Sequence, residues 1–342
     1  MKVMVTGGCG FLGSHVCTYY RKMGWDVISY DNMTKYELER TGFNVELARN
    51  YNRDLLNSIG VEILTQDIRN FDELLTASDG CDYIIHTAAQ PAMTLSVTDP
   101  VLDFTTNALG TFNVLEAARI HQIPVATCGT IHIYGTGIND TLHEEKKRYI
   151  RDPVAISESH PVMTGTLTPL HASKKSGEDY LMAYIHSYGV KAATFRLTGL
   201  YGENQFGGED HGWAAHFTIS AIRKKAITLF GNGKQLRDIV FATDVCTAFH
   251  AFYEKQQPGI YNIGGGETNT ISLLECIDYL EEVLGRKVDY QFGGERHGDL
   301  KYFVSDTSLA KKQLGWEPTI SPQVGLKRLH DWVLENKRIF NV

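Results

Sequence analysis

Lys2-Val-Met-Val-Thr-Gly-Gly-Cys-Gly-Phe-Leu-Gly13 opens the chain and decides its fold class. Val3, Met4 and Val5 form a short apolar run of the kind that builds a buried strand. It leads into Gly7, Gly10 and Gly13, spaced i, i+3, i+6. From Phe11 to Met23 the apolar residues Leu12, Val16, Tyr19, Tyr20 and Met23 follow helical spacing. A strand, a glycine turn and a helix in that order cradle a dinucleotide pyrophosphate. Gly7 permits the turn, Gly10 admits the phosphates to the backbone, and Gly13 lets the helix close on the strand. The free N–H groups of the helix start then face the anion. A glycine triplet alone also shapes ordinary loops. Here, however, the next strand, Val27-Ile28-Ser29-Tyr30, ends in Asp31, where a carboxylate reads the ribose hydroxyls of NAD and repels the 2′-phosphate of NADP.

Working outward, Val61 to Leu64 reads as a third strand, ending at Gln66-Asp67-Ile68-Arg69. Asp67 fits either acceptance from the adenine amino group or a helix N-cap. The polar segment between, roughly 32 to 60, carries Lys35, Glu37, Glu39, Arg40 and Arg53, with a short helix expected at 43–57. Cys81 to His86 gives a fourth strand running into Thr87-Ala88-Ala89-Gln90, small residues suited to lie against a cofactor. An amphipathic helix from Asn107 to Gln122 and a strand from Pro124 to Cys128 follow. Alternating strands and helices predict an α/β fold, a doubly wound parallel Rossmann sheet, with a smaller C-terminal α/β substrate-binding lobe. The expected division is 1–200 with 235–265 returning to it, against 201–234 and 266–342.

A chain of 342 residues with no apolar run near twenty residues is expected to be globular and to cross no membrane. The first strand begins at residue 2, so no signal peptide is expected. A net charge of -7 argues against nucleic acid or an anionic membrane as partner. Six scattered cysteines without a C-x-x-C pair read as reduced cytoplasmic thiols, and no metal site is expected.

The second half adds Thr130-x-x-x-Tyr134-Gly135, the Ser173/Lys175 helix, Phe195-Arg196, Tyr201-Gly202, Gly231 to Asp238, Tyr261-Asn262-Ile263-Gly264, Arg296-His-Gly-Asp299 and Leu314-Gly-Trp316. With the glycine loop and Asn107-x-x-Gly110-Thr111, this set resembles the extended short-chain dehydrogenase/reductases that act on nucleotide sugars. Gln205-Phe206-Gly207-Gly208-Glu209-Asp210-His211-Gly212-Trp213 and the charged insertion ending Lys147-Arg148-Tyr149 resemble the CDP-tyvelose (CDP-paratose) 2-epimerase branch. The resemblance implies NAD held by Gly7, Gly10, Phe11, Leu12 and Gly13 at the phosphates and by Asp31 and Asn32 at the ribose. Asp67 and Ile68 would lie at the adenine, and Ala88, Ala89 and Gln90 along the floor. Asn107, Lys175 and Thr198 would lie near the nicotinamide. It also implies a CDP- or UDP-linked sugar held by Gln90, Thr130, Gln205, Phe206, Trp213, Arg237, Arg296 and Asp299, with Arg forks matching phosphate. An Arg237–Asp238 ion pair is the competing reading. Relatives of this kind commonly pair through the Asn107 and His171 helices, so a homodimer or homotetramer is expected.

One departure stands out. The family carries Tyr-x-x-x-Lys, and this reading sets His171 in the tyrosine position with Lys175 four residues on. A neutral imidazole accepts a proton near pH 7 without the lysine ammonium that a phenol needs to lower its pKa. The alternatives are an idle His171 with the proton handled by His132 or water, or binding without turnover. Dehydratases of the family follow the threonine with an Asp-Glu pair; here Ile131 and His132 stand there, so elimination lacks its acid. Thr130, His171, Lys175 and His132 are the catalytic candidates. The expected activity is an NAD-dependent epimerase acting through a keto-sugar, with a net dehydrogenase or a non-catalytic sugar-nucleotide binder as alternatives.

Overall fold

The computed structural model describes residues 1–35, 38 and 41–342; Glu37, Glu39 and Arg40 of the expected polar segment lie outside the described residues. The chain begins β1 (Lys2–Thr6), α1 (Phe11–Lys22), β2 (Asp26–Tyr30), α2 (Val45–Ser58), β3 (Glu62–Leu64), α3 (Phe71–Ser78) and β4 (Tyr83–His86). After a helical stretch come α4 (Gly110–His121), β5 (Val125–Thr130), α5 (Pro169–Tyr188) and β6 (Ala192–Leu197). Next are β7 (Gly199–Tyr201), α6 (Trp213–Ile222), β8 (Ile227–Phe230), β9 (Leu236–Phe241), α7 (Ala242–Lys255) and β10 (Gly259–Ile263). The remainder holds β11 (Thr270–Ser272), α8 (Leu273–Leu284), β12 (Tyr290–Gly293), β13 (Tyr302–Phe303), α9 (Ser308–Leu314) and α10 (Pro322–Glu335).

Seven strands form one parallel sheet in the order β10-β6-β5-β4-β1-β2-β3. Val3, Met4 and Val5 are fully buried, as are Tyr83, Ile84 and Ile85. Continuous apolar strands of this kind need helices on both faces. The chain winds outward from β1 to β3, then restarts at β4 on the other side of β1. That reversal opens a crevice at the carboxyl ends of β1 and β4, where such sheets take their ligands.

A smaller sheet centres on β9, flanked by antiparallel β11 and by parallel β13 and β7. From the segment 235–265, β10 joins the large sheet at its edge beside β6, and α7 packs Val245, Ala248 and Phe249 into the same core. β9 stays in the small sheet because its alternate side chains serve two cores: Val240 packs with the large-sheet core, Ile239 and Phe241 with the lobe core. β8 pairs separately with β12.

Candidate active site

A cavity of about 1180 Å³ runs from the crevice between β1 and β4 to the lobe. Its volume exceeds what one small ligand fills. At one end lies the glycine turn. Gly7 has φ +69°, and a Cβ there would sit 2.7 Å from the Ala88 backbone. A Cβ on Gly13 would meet the Gly7 carbonyl at 2.0 Å. Gly10 faces the cavity with Phe11 and Leu12, and Gly13 lies beneath them. Backbone thus approaches the cavity where a pyrophosphate needs it, and the residues fit a dinucleotide.

The buried Asp31 carboxylate accepts the Cys9 N–H at 2.9 Å and the Met33 N–H at 2.7 Å. Burial pushes its pKa up, against those hydrogen bonds. Its remaining acceptor capacity is open to ribose hydroxyls on the cavity side. Asp67 also lines the cavity with Ile68, but its oxygens are occupied. Arg69 grips both, at 2.9 and 2.7 Å, and Asn32 donates to one at 2.9 Å. This pairing holds the Asp67 pKa down at about 2. The N-cap alternative for Asp67 is overturned: Asn70 precedes α3. Lys35, not singled out as a site residue, lines the same end within 5.7 Å of the Phe206 ring.

Along the floor, Ala88 and Ala89 face the cavity as expected. Gln90 faces it too, but its polar groups are spent on the protein. Its Nε2 donates to Ala92 and Asp103, and its backbone exchanges hydrogen bonds with the Asn107 carboxamide. Asn107 itself is buried off the wall and bonds Asp103 at 2.9 Å. Asn107 thus lies behind the floor and braces it, while Gln90 forms part of the cavity wall. Thr198 lines the cavity, its hydroxyl donating to the Asp238 carbonyl and carboxylate at 2.9 and 2.8 Å.

At the reacting end, β5 delivers Thr130, whose hydroxyl accepts the His132 backbone N–H at 3.2 Å. Both residues line the cavity. Burial, the Arg237 charge and the nearby His171 together push the His132 pKa down to about 3. His132 is therefore neutral across ordinary pH.

The helix α5 corrects the expected register. Leu170 and Lys174 face the cavity; His171 and Lys175 do not. They keep the four-residue spacing of the family's tyrosine and lysine, one residue earlier, so the tyrosine position holds a leucine. His171 is fully buried and caps the helix. Its Nδ1 accepts the Thr168 N–H at 3.0 Å, within 2.8 Å of the Thr168 hydroxyl. With Nδ1 accepting, the neutral ring carries its proton on Nε2, which is buried without a partner among the described residues. A ring in that state has no lone pair for a substrate proton. Lys175 forms an ion pair with Asp179 on the outer face. Lys174 reaches inward instead, its Nζ donating to the Cys128 carbonyl at 3.2 Å.

At the lobe end, Gln205, Phe206, Trp213, Arg237, Arg296 and Asp299 converge on the cavity. Arg237 pairs with Asp299 at 3.4 Å and donates to the Leu236 and Leu300 carbonyls. The expected Arg237–Asp238 pair is not formed, because Asp238 faces the other side of β9 toward Thr198 and the Gly266 N–H. Arg296 lies 3.7 Å over the Phe230 ring and donates to the Glu209 carbonyl at 2.8 Å. Phe206 is mostly core, stacked on Phe340 at 5.8 Å. The Gln205 Oε1 is buried without a partner among the described residues. His297, which sequence reasoning missed, also lines this end.

Residues 3–264 match the model of the NAD dependent epimerase/dehydratase family. The chain is 31% identical to CDP-paratose 2-epimerase of Salmonella typhi over 97% of this chain and 99% of the relative. It superposes with a TM-score of 0.78 on UDP-glucose 4-epimerase of Thermus thermophilus in complex with NAD, at 30% identity, covering 97% of this chain and 98% of the other. UDP-glucuronic acid 4-epimerase from Bacillus cereus, in complex with UDP-glucuronic acid and NAD, superposes with a TM-score of 0.82 at 26% identity, covering 98% and 100%. The chain belongs to the NAD dependent epimerase/dehydratase family, and its cofactor is NAD.

Proposed function

We propose that the protein epimerises a CDP- or UDP-linked sugar at one carbon through a transient keto-sugar. The observation that carries this reading is the continuous cavity: a dinucleotide cradle at one end, Arg237 and Arg296 at the other, and Thr130 between them. NAD, when bound, supplies a two-electron acceptor and donor that returns to its starting state. Thr130 presents a hydroxyl to the reacting sugar oxygen. Arg237, already desolvated and oriented by Asp299, offers its fork to the diphosphate, as does Arg296. Phe206 and Trp213 wall the sugar-nucleotide. Ile131 and His132 put no carboxylate after Thr130, which disfavours the dehydratase reading. Relatives named as 2- and 4-epimerases favour epimerisation over net dehydrogenation.

Exposed apolar side chains at Val101, Phe104 and Tyr180 suit pairing of two copies along these helices. The free cysteines suit a reducing cytoplasm. Among the described residues, no helix is long and apolar enough to cross a membrane. The test is a panel of CDP-, UDP- and GDP-sugars with product analysis, alongside identification of nucleotide released by heating. An epimeric product with NAD already in the purified protein is expected. Net NADH accumulating in step with an oxidised sugar would refute the proposal, and so would binding without any product.

A further inference from the structure

Leu170 leaves this cavity without the phenol that usually exchanges a proton with the sugar hydroxyl. Beside that position, α5 and the end of β5 present three titratable groups: His132, His171 and Lys174. His171 is closed off by the α5 cap. Burial holds the His132 ring neutral, its pKa down at about 3, so at pH 7 it is a poor proton acceptor. Of these three, Lys174 remains. Its amine reaches the cavity wall and makes one hydrogen bond, to a neutral carbonyl. Among the described residues, no carboxylate lies within ion-pair distance of it.

We propose that Lys174, which has no phenol to activate, is itself the proton acceptor and donor for the sugar hydroxyl. This rests on the epimerase reading above. The hydroxyl O–H bond breaks and its proton adds to the lone pair of the neutral amine. The oxygen's electron pair becomes the second C–O bond as the carbon's hydrogen leaves with its own pair, the pair NAD is there to accept. On return the ammonium gives the same proton back to the oxygen.

The surroundings of the amine agree with the role. Burial lowers its pKa from the ordinary lysine value of 10.5. Facing it are Cys128 on β5, Asp103 before the Asn107 turn and His86 on β4. The Cys128 thiol, pushed up to about 12, and the His86 ring, pushed down to about 3, are both neutral. Asp103 carries the counter-charge, turned toward the Gln90 and Asn107 amides. A buried ammonium so weakly compensated releases its proton more readily than one on the surface.

Two measurements test this. Competitive acetylation with acetic anhydride across pH, read by mass spectrometry, reports the titration of each lysine amine. Lys174 is expected to titrate below the ordinary lysine value of 10.5. The kcat/KM profile is expected to rise with pH through that same midpoint. Lys174→Arg, which keeps the charge but cannot deprotonate, is expected to lose at least 100-fold in kcat while retaining NAD. His132→Gln is expected to leave the limb where it is. A limb below pH 6.5 that moves in His132→Gln, or Lys174→Arg within tenfold of the parent, overturns the proposal. If no sugar turns over, the epimerase reading fails separately, and a Lys174 midpoint at or above 10.5 still overturns this one.

Discussion

Arg196 on β6 and Glu178 on α5 are joined by two hydrogen bonds of 2.9 Å, with side chains only 5% and 1% exposed. The same guanidinium donates to the Tyr134 hydroxyl at 2.9 Å and lies 4.9 Å over its ring. Glu178→Gln keeps the volume and removes the charge, leaving a buried arginine unpaired. Breaking a buried pair in this way costs about 3–5 kcal/mol, because the surviving charge has lost both water and partner. An unfolding entropy near 2.1 cal/mol/K per residue amounts to about 0.7 kcal/mol/K for 342 residues, so Tm should fall by about 4–7 °C. Scanning calorimetry on the NAD-loaded protein reads this directly. Glu178→Leu combined with Arg196→Met removes both charges and should recover most of the loss, since no charge is then stranded. Glu178 lies one turn beyond Lys174, so the single variant should also loosen the helix that presents that amine. A single variant melting within 1 °C of the parent would refute the reasoning, and so would a double variant no better than the single.

Three further outcomes follow from the geometry. Gly13→Ala forces a methyl to 2.0 Å from the Gly7 carbonyl; purified protein should release far less NAD on heating and lose about 1–3 kcal/mol in denaturant melts. The Asp67 pKa is held below its ordinary 3.8 by Arg69, so this pair stabilises the fold above pH 3.8 and the benefit disappears as pH falls toward 2; Asp67→Asn should flatten that part of the stability curve measured by acid titration. Leu170→Tyr built into Lys174→Arg sets a phenol beside a fixed cation, and turnover of the sugar that the parent epimerises should recover by tenfold or more over Lys174→Arg alone.

The elements that carry the cofactor were readable because their signals are local. Val3 to Val5, the glycines and Asp31 lie within about thirty residues, and each needs only its neighbours to be interpreted. The pairing of β10 beside β6 and the placement of β9 depend on partners far away in the chain, which no local pattern in 235–265 announces. The error at α5 has a sharper cause. Each residue turns the helix by about 100°, so a slip of one exchanges the cavity face for the flank. Leu170-His171 and Lys174-Lys175 offer two pairs at the same spacing, and the polar pair was the more conspicuous. Ser173 held the missing signal. It lies within 3.4 Å of the Asn107 amide at the brace, which fixes the inward side of the helix and makes Lys174 its cavity neighbour. Likewise, nothing in the local sequence announces that Gln90 and Asn107 satisfy each other, since that requires both backbone and side-chain geometry.

The strand β9 has a consequence for how the molecule can move. The chain passes between the large-sheet core and the lobe core at Thr198 between β6 and β7, where β9 meets α7, through Gly264-Gly265-Gly266 after β10, and on either side of α9, whose Ala310 and Leu314 pack with the large-sheet core. Asp238 fastens two of these passages, holding the Thr198 hydroxyl and the Gly266 N–H with one carboxylate. A Cβ on Gly264 would lie 2.2 Å from that carboxylate, so the glycine run is held close to it at both ends. Two cores stitched at several seams do not swing apart like covers on a single spine; ligand exchange is expected to fall to the cavity's lobe-end wall, residues 209–213 and 296–297.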